Sequence, residues 1–157
     1  MIVQIYEVTC PSEAQALVRL GVDHIGVLVG KGRFPRELDY GAALDIFTAV
    51  PPGAKKVALT LSPDFEEIVE VAKKTGPDIL HIGTLPENFP PADVKRIKRL
   101  LPDLKIMIAI PVIDGSAVDT AGRYEETADF LLLDTYRKGD TQIGATGRTH
   151  DWEISRQ

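Results

Sequence analysis

The chain has 157 residues, of which 44% are hydrophobic, and this is enough for one compact domain with a substantial core. Its 18 Lys and Arg against 23 Asp and Glu give a net charge of −5. This balance argues against a nucleic-acid-binding protein, which normally carries a basic surface. The one basic cluster, between Lys95 and Arg99, lies on a predicted helix and fits a solvated helix face better than a phosphate-backbone site.

Cysteine and histidine usage gives no sign of a metal centre. Cys10 is the only cysteine, so an intramolecular disulfide and a Cys-based zinc site are excluded. The three histidines lie far apart along the chain, and we expect neither a metal nor a cofactor. The N-terminal segment lacks the features of a signal peptide and no apolar run approaches a membrane span, so a cytoplasmic protein without a membrane partner is predicted.

Strand-like and helix-like segments alternate along the chain, as expected of βα units on a parallel sheet. Asp39 is the predicted N-cap of the second helix. The predicted strands cover 2–8, 23–29, 56–61, 78–82, 104–110 and 129–133, and the predicted helices cover 11–21, 40–49, 64–76, 93–101, 116–127 and 151–156.

One short pattern recurs where a helix gives way to a strand. Asp23, Asp78 and Asp129 each stand just before an apolar strand, in similar surroundings. This echo favours a barrel-like series of equivalent βα modules over two unlike domains. No linker or low-complexity segment divides the chain, so a single domain over 1–157 is predicted.

The most informative stretch covers residues 129–152. An apolar run ends abruptly in Asp134, which the pattern places at the carboxyl end of a buried strand, where ligands bind in α/β folds. The Gly-rich loop over 139–149 can bring backbone N–H groups close to an anion. The alternatives are a capping or loop-anchoring carboxylate for Asp134 and a flexible connection for the loop.

Several segments, in order, resemble the phosphoribosylanthranilate isomerases of tryptophan biosynthesis. Residues 16–29 are similar to that family's Ala-Gly-Ala-Asp-x-Ile-Gly-Phe segment, and Phe34-Pro35-Arg36 to its Ser-Pro-Arg. Leu-Leu-Leu-Asp at 131–134 has the same sequence as the family motif. Residues 144–152, Gly-Ala-Thr-Gly-Arg-Thr-His-Asp-Trp, are similar to its Gly-Gly-Thr-Gly-Lys-Thr-Phe-Asp-Trp. The resemblance implies a TIM (β/α)8-type barrel, of which this chain carries about six βα units.

The resemblance also implies a reaction, the Amadori rearrangement of an N-linked phosphoribosyl aldosamine to a ketosamine. Asp134 corresponds to the general acid that protonates the ribose ring oxygen, a role that needs a raised carboxyl pKa. Arg36, Gly144 and Gly147 correspond to candidate contacts for a small anionic sugar-phosphate ligand. The alternative for Arg36 is a salt bridge within the loop.

The chain departs from the family pattern at the general base. The family reads Lys-Ile-Cys-Gly on its first strand, and this chain reads Gln-Ile-Tyr-Glu at 4–7. Tyr6 therefore replaces the basic Cys, and its ordinary pKa near 10 makes it a poor base. Tyr6 is kept as a candidate substrate contact, the alternative being an aromatic that fills the barrel. Cys10, beside a helix N-terminus, is the candidate replacement base, the alternative being a small residue under a helix cap.

Polar groups also change on later strands. The alignment of the fourth strand places Leu80 and Ile82 in the lumen and turns His81 to the other face. On the fifth strand, Ile108 and Pro111 take the places of a Lys and an Arg. These changes predict a less polar lumen than the family has.

The pattern ends as the sixth helix begins, so the family's last two βα units, which form its phosphate site, have no counterpart here. We expect a fragment, or a homo-oligomer or partner that covers the open edges. Three functional hypotheses follow. The chain is an isomerase of this kind, or a diverged barrel for another sugar phosphate or small metabolite, or a non-catalytic paralogue.

Overall fold

The computed structural model describes residues 1–140 and 142–157, and in these residues six strands alternate with six helices. The predicted alternation is confirmed. The strands are β1 (Gln4–Ile5), β2 (His24–Leu28), β3 (Lys55–Thr60), β4 (Ile79–Ile82), β5 (Lys105–Val112) and β6 (Phe130–Thr135). The helices are α1 (Pro11–Arg19), α2 (Tyr40–Ala49), α3 (Phe65–Thr75), α4 (Pro91–Leu100), α5 (Ser116–Tyr124) and α6 (Trp152–Ser155).

The chain divides into two compact units, Met1–His81 and Ile82–Gln157. In the first unit β1 pairs with β2 and β2 with β3, all parallel and in chain order. In the second unit β5 and β6 are parallel, with Pro111 opposite Asp134. A helix follows each strand and covers its face, which is the arrangement that the alternating pattern predicts.

The aspartates that precede alternate strands have one shared structural role. The Oδ2 atom of each accepts a hydrogen bond from a backbone N–H one residue before or after the first residue of the preceding odd-numbered strand, so each carboxylate fixes the start of a strand pair. The bonds join Asp23 to Val3 at 2.8 Å, Asp78 to Lys56 at 2.8 Å and Asp129 to Ile106 at 2.9 Å. This common contact gives a physical reason for the repeated sequence pattern.

Helix starts follow the local sequence closely. Asp39 accepts a hydrogen bond from the Ala42 N–H at 2.9 Å, which confirms the predicted N-cap of α2. Helix α4 begins at Pro91, two residues before the predicted start at Asp93, because Pro is favourable in the first turn, where no N–H partner is needed.

Strand β1 is shorter than the predicted 2–8, and β6 is longer than the predicted 129–133. Glu7 has φ of 56°, a left-handed conformation that is incompatible with an extended strand and ends β1 early. Strand β6 continues through Asp134 to Thr135, so the carboxylate lies within the last residues of the strand. Among the described residues, no helix is long and apolar enough to cross a membrane.

Candidate active site

The end of β1 carries an ion pair between two residues with left-handed backbones. Arg36 has φ of 63° and Glu7 has φ of 56°. The Arg36 Nη1 atom lies 3.2 Å from Glu7 Oε2, and its Nη2 atom donates to the Glu7 carbonyl oxygen at 3.2 Å. Each left-handed non-glycine residue costs ~1–2 kcal/mol, whereas an exposed ion pair contributes at most about 1 kcal/mol. The ion pair does not offset the strain of both residues.

The loop that carries Arg36 closes on itself. Leu38 donates to the Leu28 carbonyl at 2.8 Å, and Gly30 donates to the Leu38 carbonyl at 3.0 Å. The Glu37 carboxylate accepts the Arg33 N–H at 2.6 Å and packs directly against Gly30. A Cβ at Gly30 would overlap that carboxylate, so a larger residue here would force the Glu37 side chain to move.

A buried carboxylate on α3 anchors the same loop. The Glu67 side chain is 3% exposed and forms ion pairs with Arg33 and with Lys31, the latter at 3.5 Å. Both cations keep about half of their surface in solvent, with 46% and 55% exposed. The loop from Gly30 to Leu38, and with it Arg36, is therefore held from both its own strand and a neighbouring helix.

Tyr6 is part of a hydrogen-bonded chain of polar side chains in the first unit. Gln4 Oε1 lies 2.9 Å from His24 Nδ1, and Gln4 Nε2 donates to the Tyr6 hydroxyl at 2.5 Å. The Tyr6 hydroxyl lies 2.5 Å from His81 Nδ1. The Tyr6 hydroxyl oxygen and His81 Nδ1 share one hydrogen, and the tautomer of the imidazole sets which of the two donates. Gly26 leaves room for the Tyr6 ring, which a Cβ there would overlap.

His81 lies on the opposite face from the one predicted. Its bond to Tyr6 places it on the same face of the unit as Tyr6, and strand alternation then puts Leu80 on the other face. The prediction matched Leu80 and Ile82 with the polar residues of the family's fourth strand. A match shifted by one residue would have placed His81 on their face. His81 is buried, its Nε2 atom has no hydrogen-bond partner among the described residues, and burial lowers its pKa to about 3.

Cys10 lies where the sequence places it, as the N-cap residue of α1. Its thiol is exposed, and Sγ lies 3.3 Å from the Ser12 hydroxyl oxygen. The Ser12 hydrogen bond, together with the backbone N–H of Glu13, lowers the pKa of the thiol below its ordinary value. Cys10 therefore has the chemical character of a base, and its catalytic role stays a prediction.

In the second unit, Asp134 is half-buried near the end of β6. Its Oδ1 atom accepts the Thr135 N–H at 2.7 Å and the Thr135 hydroxyl at 3.3 Å. The backbone of Gly144 packs against the Asp134 carboxylate so closely that a Cβ there would overlap it. The Gly144 N–H donates to the Thr135 carbonyl at 2.8 Å, which brings the Gly-rich loop back over the strand end.

The loop after β6 depends on left-handed backbone conformations. Gly139, Gly144 and Gly147 have φ of 102°, 80° and 65°, and Ala145 follows Gly144 with φ of 57°. The Thr146 hydroxyl lies 2.8 Å from that of Thr135 and ties the loop to the strand. Gly147 has nothing within 4 Å of a Cβ position, so its requirement for glycine is purely conformational.

A cavity of about 330 Å³ opens beside this loop. Its wall includes Thr135, whose N–H and hydroxyl both bond to Asp134. Cationic side chains from Arg137 and Arg148 line it together with His150, Asp151 and threonine hydroxyls. This lining suits an anionic, hydroxyl-rich molecule.

The fifth strand corrects one more prediction. Ile108 stands opposite Leu131 in the register, and Leu131 lines a cavity together with Ala117 and Val118 of α5. Ile108 therefore faces the helix layer and does not replace a lumen residue. Pro111 is opposite Asp134 and shares its face, as predicted. Among the described residues, no group of three or more His, Cys, Asp or Glu side chains is arranged to hold a metal ion.

Comparison with curated proteins shows the origin of this arrangement. The N-(5'-phosphoribosyl)anthranilate isomerase of Methanocella arvoryzae is 32% identical over 156 residues, covering 99% of this chain and 70% of the relative. The chain belongs to the phosphoribosylanthranilate isomerase family. The isomerase of Petrotoga mobilis is 27% identical over 156 residues, covering 99% of this chain and 69% of its own length. No protein-family model matches the chain.

Solved phosphoribosylanthranilate isomerase structures share the fold. The Thermotoga maritima enzyme matches with a TM-score of 0.80 and 22% identity, over 98% of this chain and 70% of its own. The Thermus thermophilus enzyme matches with a TM-score of 0.75 and 19% identity, over 99% and 70%. The chain thus has the TIM (β/α)8-type fold of this family across six βα units, as the sequence predicts.

Sequence reasoning missed two features of the site. The pairing of Glu7 with Arg36 had one available signal, a glutamate where the family carries a glycine, which marks an unusual backbone conformation. The Gln4–Tyr6–His81 chain had no comparable signal, because the Tyr6–His81 contact spans 75 residues of sequence.

Proposed function

We propose that this chain acts on an N-linked phosphoribosyl aldosamine and catalyses its Amadori rearrangement to the ketosamine, the reaction of its family. The observation that supports this most directly is the end of β6. There the family's carboxylate, Asp134, is held by Thr135 and covered by Gly144. Thr135 in turn lines a cavity together with Arg137 and Arg148. A small phosphorylated sugar derivative is the ligand class that suits such a cavity.

In this proposal Asp134 is the general acid. Its proton passes to the ribose ring oxygen, the C1–O bond breaks, and an iminium ion forms at C1 with the nitrogen lone pair. A base then removes the C2 proton, giving an enolamine that tautomerises to the ketosamine. The hydrogen bonds from Thr135 fix the carboxyl group in one orientation, which positions its proton.

Cys10 is the proposed base. Its thiol is exposed and has a lowered pKa, which increases the thiolate fraction available for proton abstraction. Tyr6 is less suited to the role because its hydroxyl already bonds to Gln4 and His81, and the buried His81 has a pKa of about 3. In the proposal Tyr6 shapes the ligand site, and Arg36, Gly144 and Gly147 contact the anionic ligand.

The test is a fluorescence assay for loss of phosphoribosylanthranilate, with wild type, Asp134→Asn and Asp140→Asn. Asp140 is a matched control, since its carboxylate is exposed and accepts the Arg137 N–H at 3.0 Å. We expect Asp134→Asn to lose about 10²–10⁴-fold in turnover and Asp140→Asn to retain it. Cys10→Ser should reduce turnover by a comparable factor if the thiolate is the base.

The same experiment separates the isomerase from its alternatives. Tyr6 in place of the family Cys, tied into a hydrogen-bonded chain, favours a diverged site that binds a sugar phosphate or small metabolite without rearranging it. Binding of the reduced carboxyphenylamino-deoxyribulose phosphate by folded protein without turnover would support that alternative. Absence of both binding and turnover would overturn the proposed function and leave a non-catalytic paralogue.

A further inference from the structure

The Arg36 guanidinium is already engaged by a carboxylate of the chain itself. Glu7 Oε2 lies 3.2 Å from Nη1, and the Glu7 carbonyl oxygen accepts from Nη2 at 3.2 Å. Glu7 therefore contacts both terminal nitrogens with two acceptors, and its negative charge offsets the positive charge of the guanidinium. A ligand carboxylate reaching Arg36 would meet these contacts first.

Stability does not account for a glutamate at this position. Glu7 has a left-handed backbone with φ of 56°, a conformation that glycine adopts without strain and a glutamate does not. The ion pair is open to solvent, since the Arg36 and Glu7 side chains are 57% and 35% exposed, and exposed pairs stabilise proteins little. A strained residue retained without a gain in stability indicates a function.

We propose that Glu7 is a specificity-determining residue that competes with ligand carboxylates for Arg36. The proposal rests on the proposed function, which assigns Arg36 to the anionic ligand. Glu7 then disfavours a sugar phosphate whose aromatic amine carries a carboxylate, by occupying the guanidinium and by repelling a second negative charge. Ligands with a neutral group at this position do not have to displace Glu7 and are bound in preference.

The anchored loop makes this competition effective. Glu67 holds the loop through Arg33 and Lys31, and Leu38 bonds back to β2, so the backbone that carries Arg36 is held close to Glu7. A mobile arginine could serve a ligand elsewhere without breaking its contact with Glu7. A fixed arginine must exchange one carboxylate for the other.

The first experiment measures two affinities by calorimetry, for reduced carboxyphenylamino-deoxyribulose phosphate and for its phenylamino counterpart without the carboxylate. The variants are Glu7→Gln, which removes the charge, and Glu7→Gly, which removes the side chain and relieves the backbone. Glu70→Gln is the matched control, since Glu70 forms a comparable exposed pair with Lys74 on α3. We expect both Glu7 variants to bind the carboxylate ligand about three- to fivefold more tightly, with the phenylamino ligand unchanged.

A second measurement tests the occupation of Arg36 without any ligand. Phenylglyoxal modifies accessible guanidinium groups, and peptide mass spectrometry follows the rate at Arg36. We expect faster labelling in both Glu7 variants than in wild type, and a wild-type rate in Glu70→Gln. Equal Arg36 labelling in wild type and both Glu7 variants overturns the competition. The competition is also overturned if the Glu7 variants gain equal affinity for the carboxylate ligand and for the phenylamino ligand.

These readouts separate this inference from the proposed function. If no variant binds either sugar phosphate, the proposed function fails, while the labelling rate at Arg36 still decides whether Glu7 occupies the guanidinium. If the ligands bind but Asp134→Asn turns over normally, the catalytic assignment fails and the specificity measurement stands unchanged.

Discussion

The strand ends of the two units differ in how far their polar side chains are engaged with one another. At the end of β1, Tyr6 bonds to Gln4 and His81, and Glu7 bonds to Arg36. At the end of β6, Thr135 donates to the Asp134 carboxylate and the Gly144 backbone packs against it, while Thr135, Arg137 and Arg148 line a cavity. The first region departs from the family motif, and the second retains it.

The difference shows how substitution and compensation occur together. In the first region Glu7 pairs with Arg36 in solvent, and Tyr6 bonds to Gln4 and to the buried His81, whose Nδ1 atom would be costly to leave without a partner. Where the family residues were kept, the contacts still leave a concave polar surface beside the strand. The retained region is thus the better candidate for chemistry, and the altered region for selectivity.

The largest effect should come from removing the anchor of the first region. Glu67→Ala would leave the Arg33 and Lys31 side chains without their buried partner and expose a cavity on α3. We expect a loss of about 3 kcal/mol in the free energy of unfolding, measured by urea titration. Glu66→Ala removes an exposed carboxylate from the neighbouring position of the same helix and should cost well under 1 kcal/mol. Similar losses in both variants would show that the ion pairs of Glu67 contribute little.

The second region should be most sensitive at Gly144. Gly144→Ala adds both a left-handed strain and an overlap with Asp134, and we expect it to cost roughly 2–3 kcal/mol and to abolish turnover. Gly147→Ala shares the positive φ but meets no neighbouring atom, so it should cost only about 1 kcal/mol. Comparison of the two by thermal unfolding and by the fluorescence assay isolates the contact with the carboxylate. Equal effects would mean that the contact is unimportant.

Acid should destabilise the first region through His81. Its pKa is about 3 in the folded protein and near 6.5 in the unfolded chain. Between these pH values His81 is protonated in the unfolded chain and neutral in the folded protein. The stability is fully present above pH 6.5 and is lost as the pH falls toward 3. Between pH 7.5 and 5 we expect wild type to lose about 2 kcal/mol more than His81→Gln, measured by urea unfolding at each pH. Parallel pH profiles would contradict a buried neutral imidazole.

The smallest effect concerns the Cys10 thiol. Its strongest source of stabilisation as a thiolate is the hydrogen bond from Ser12, so Ser12→Ala should raise the thiol pKa toward its ordinary value. The pH dependence of iodoacetamide labelling measures this shift, and turnover at neutral pH should fall with it if the thiolate is the base. Unchanged labelling would show that Ser12 does not stabilise the thiolate. Slower labelling with unchanged turnover would show that Cys10 is not the base.

The local elements of the fold were predictable because their signals are local. The N-cap at Asp39 acts over three residues, and the apolar run that ends in Asp134 needs no distant partner to form a strand. The motif over 144–152 predicted the family, and its glycines occupy left-handed positions at Gly144 and Gly147. The aspartates before alternate strands predicted repeated modules, although the hydrogen bonds they make appear only in the structure.

The side-chain partners of the candidate site were decided by tertiary structure. A shift of one residue in the alignment of β4 turned His81 to the wrong face, because a strand inverts its side chains at every position. Glu7 was expected to continue a regular strand, and its left-handed backbone instead directs it to Arg36, 29 residues away. The sequence alone determined the family, the order of elements and the place of Asp134, since these depend on short-range patterns. Which polar groups satisfy one another depends on contacts between distant residues, and only the folded chain brings those together.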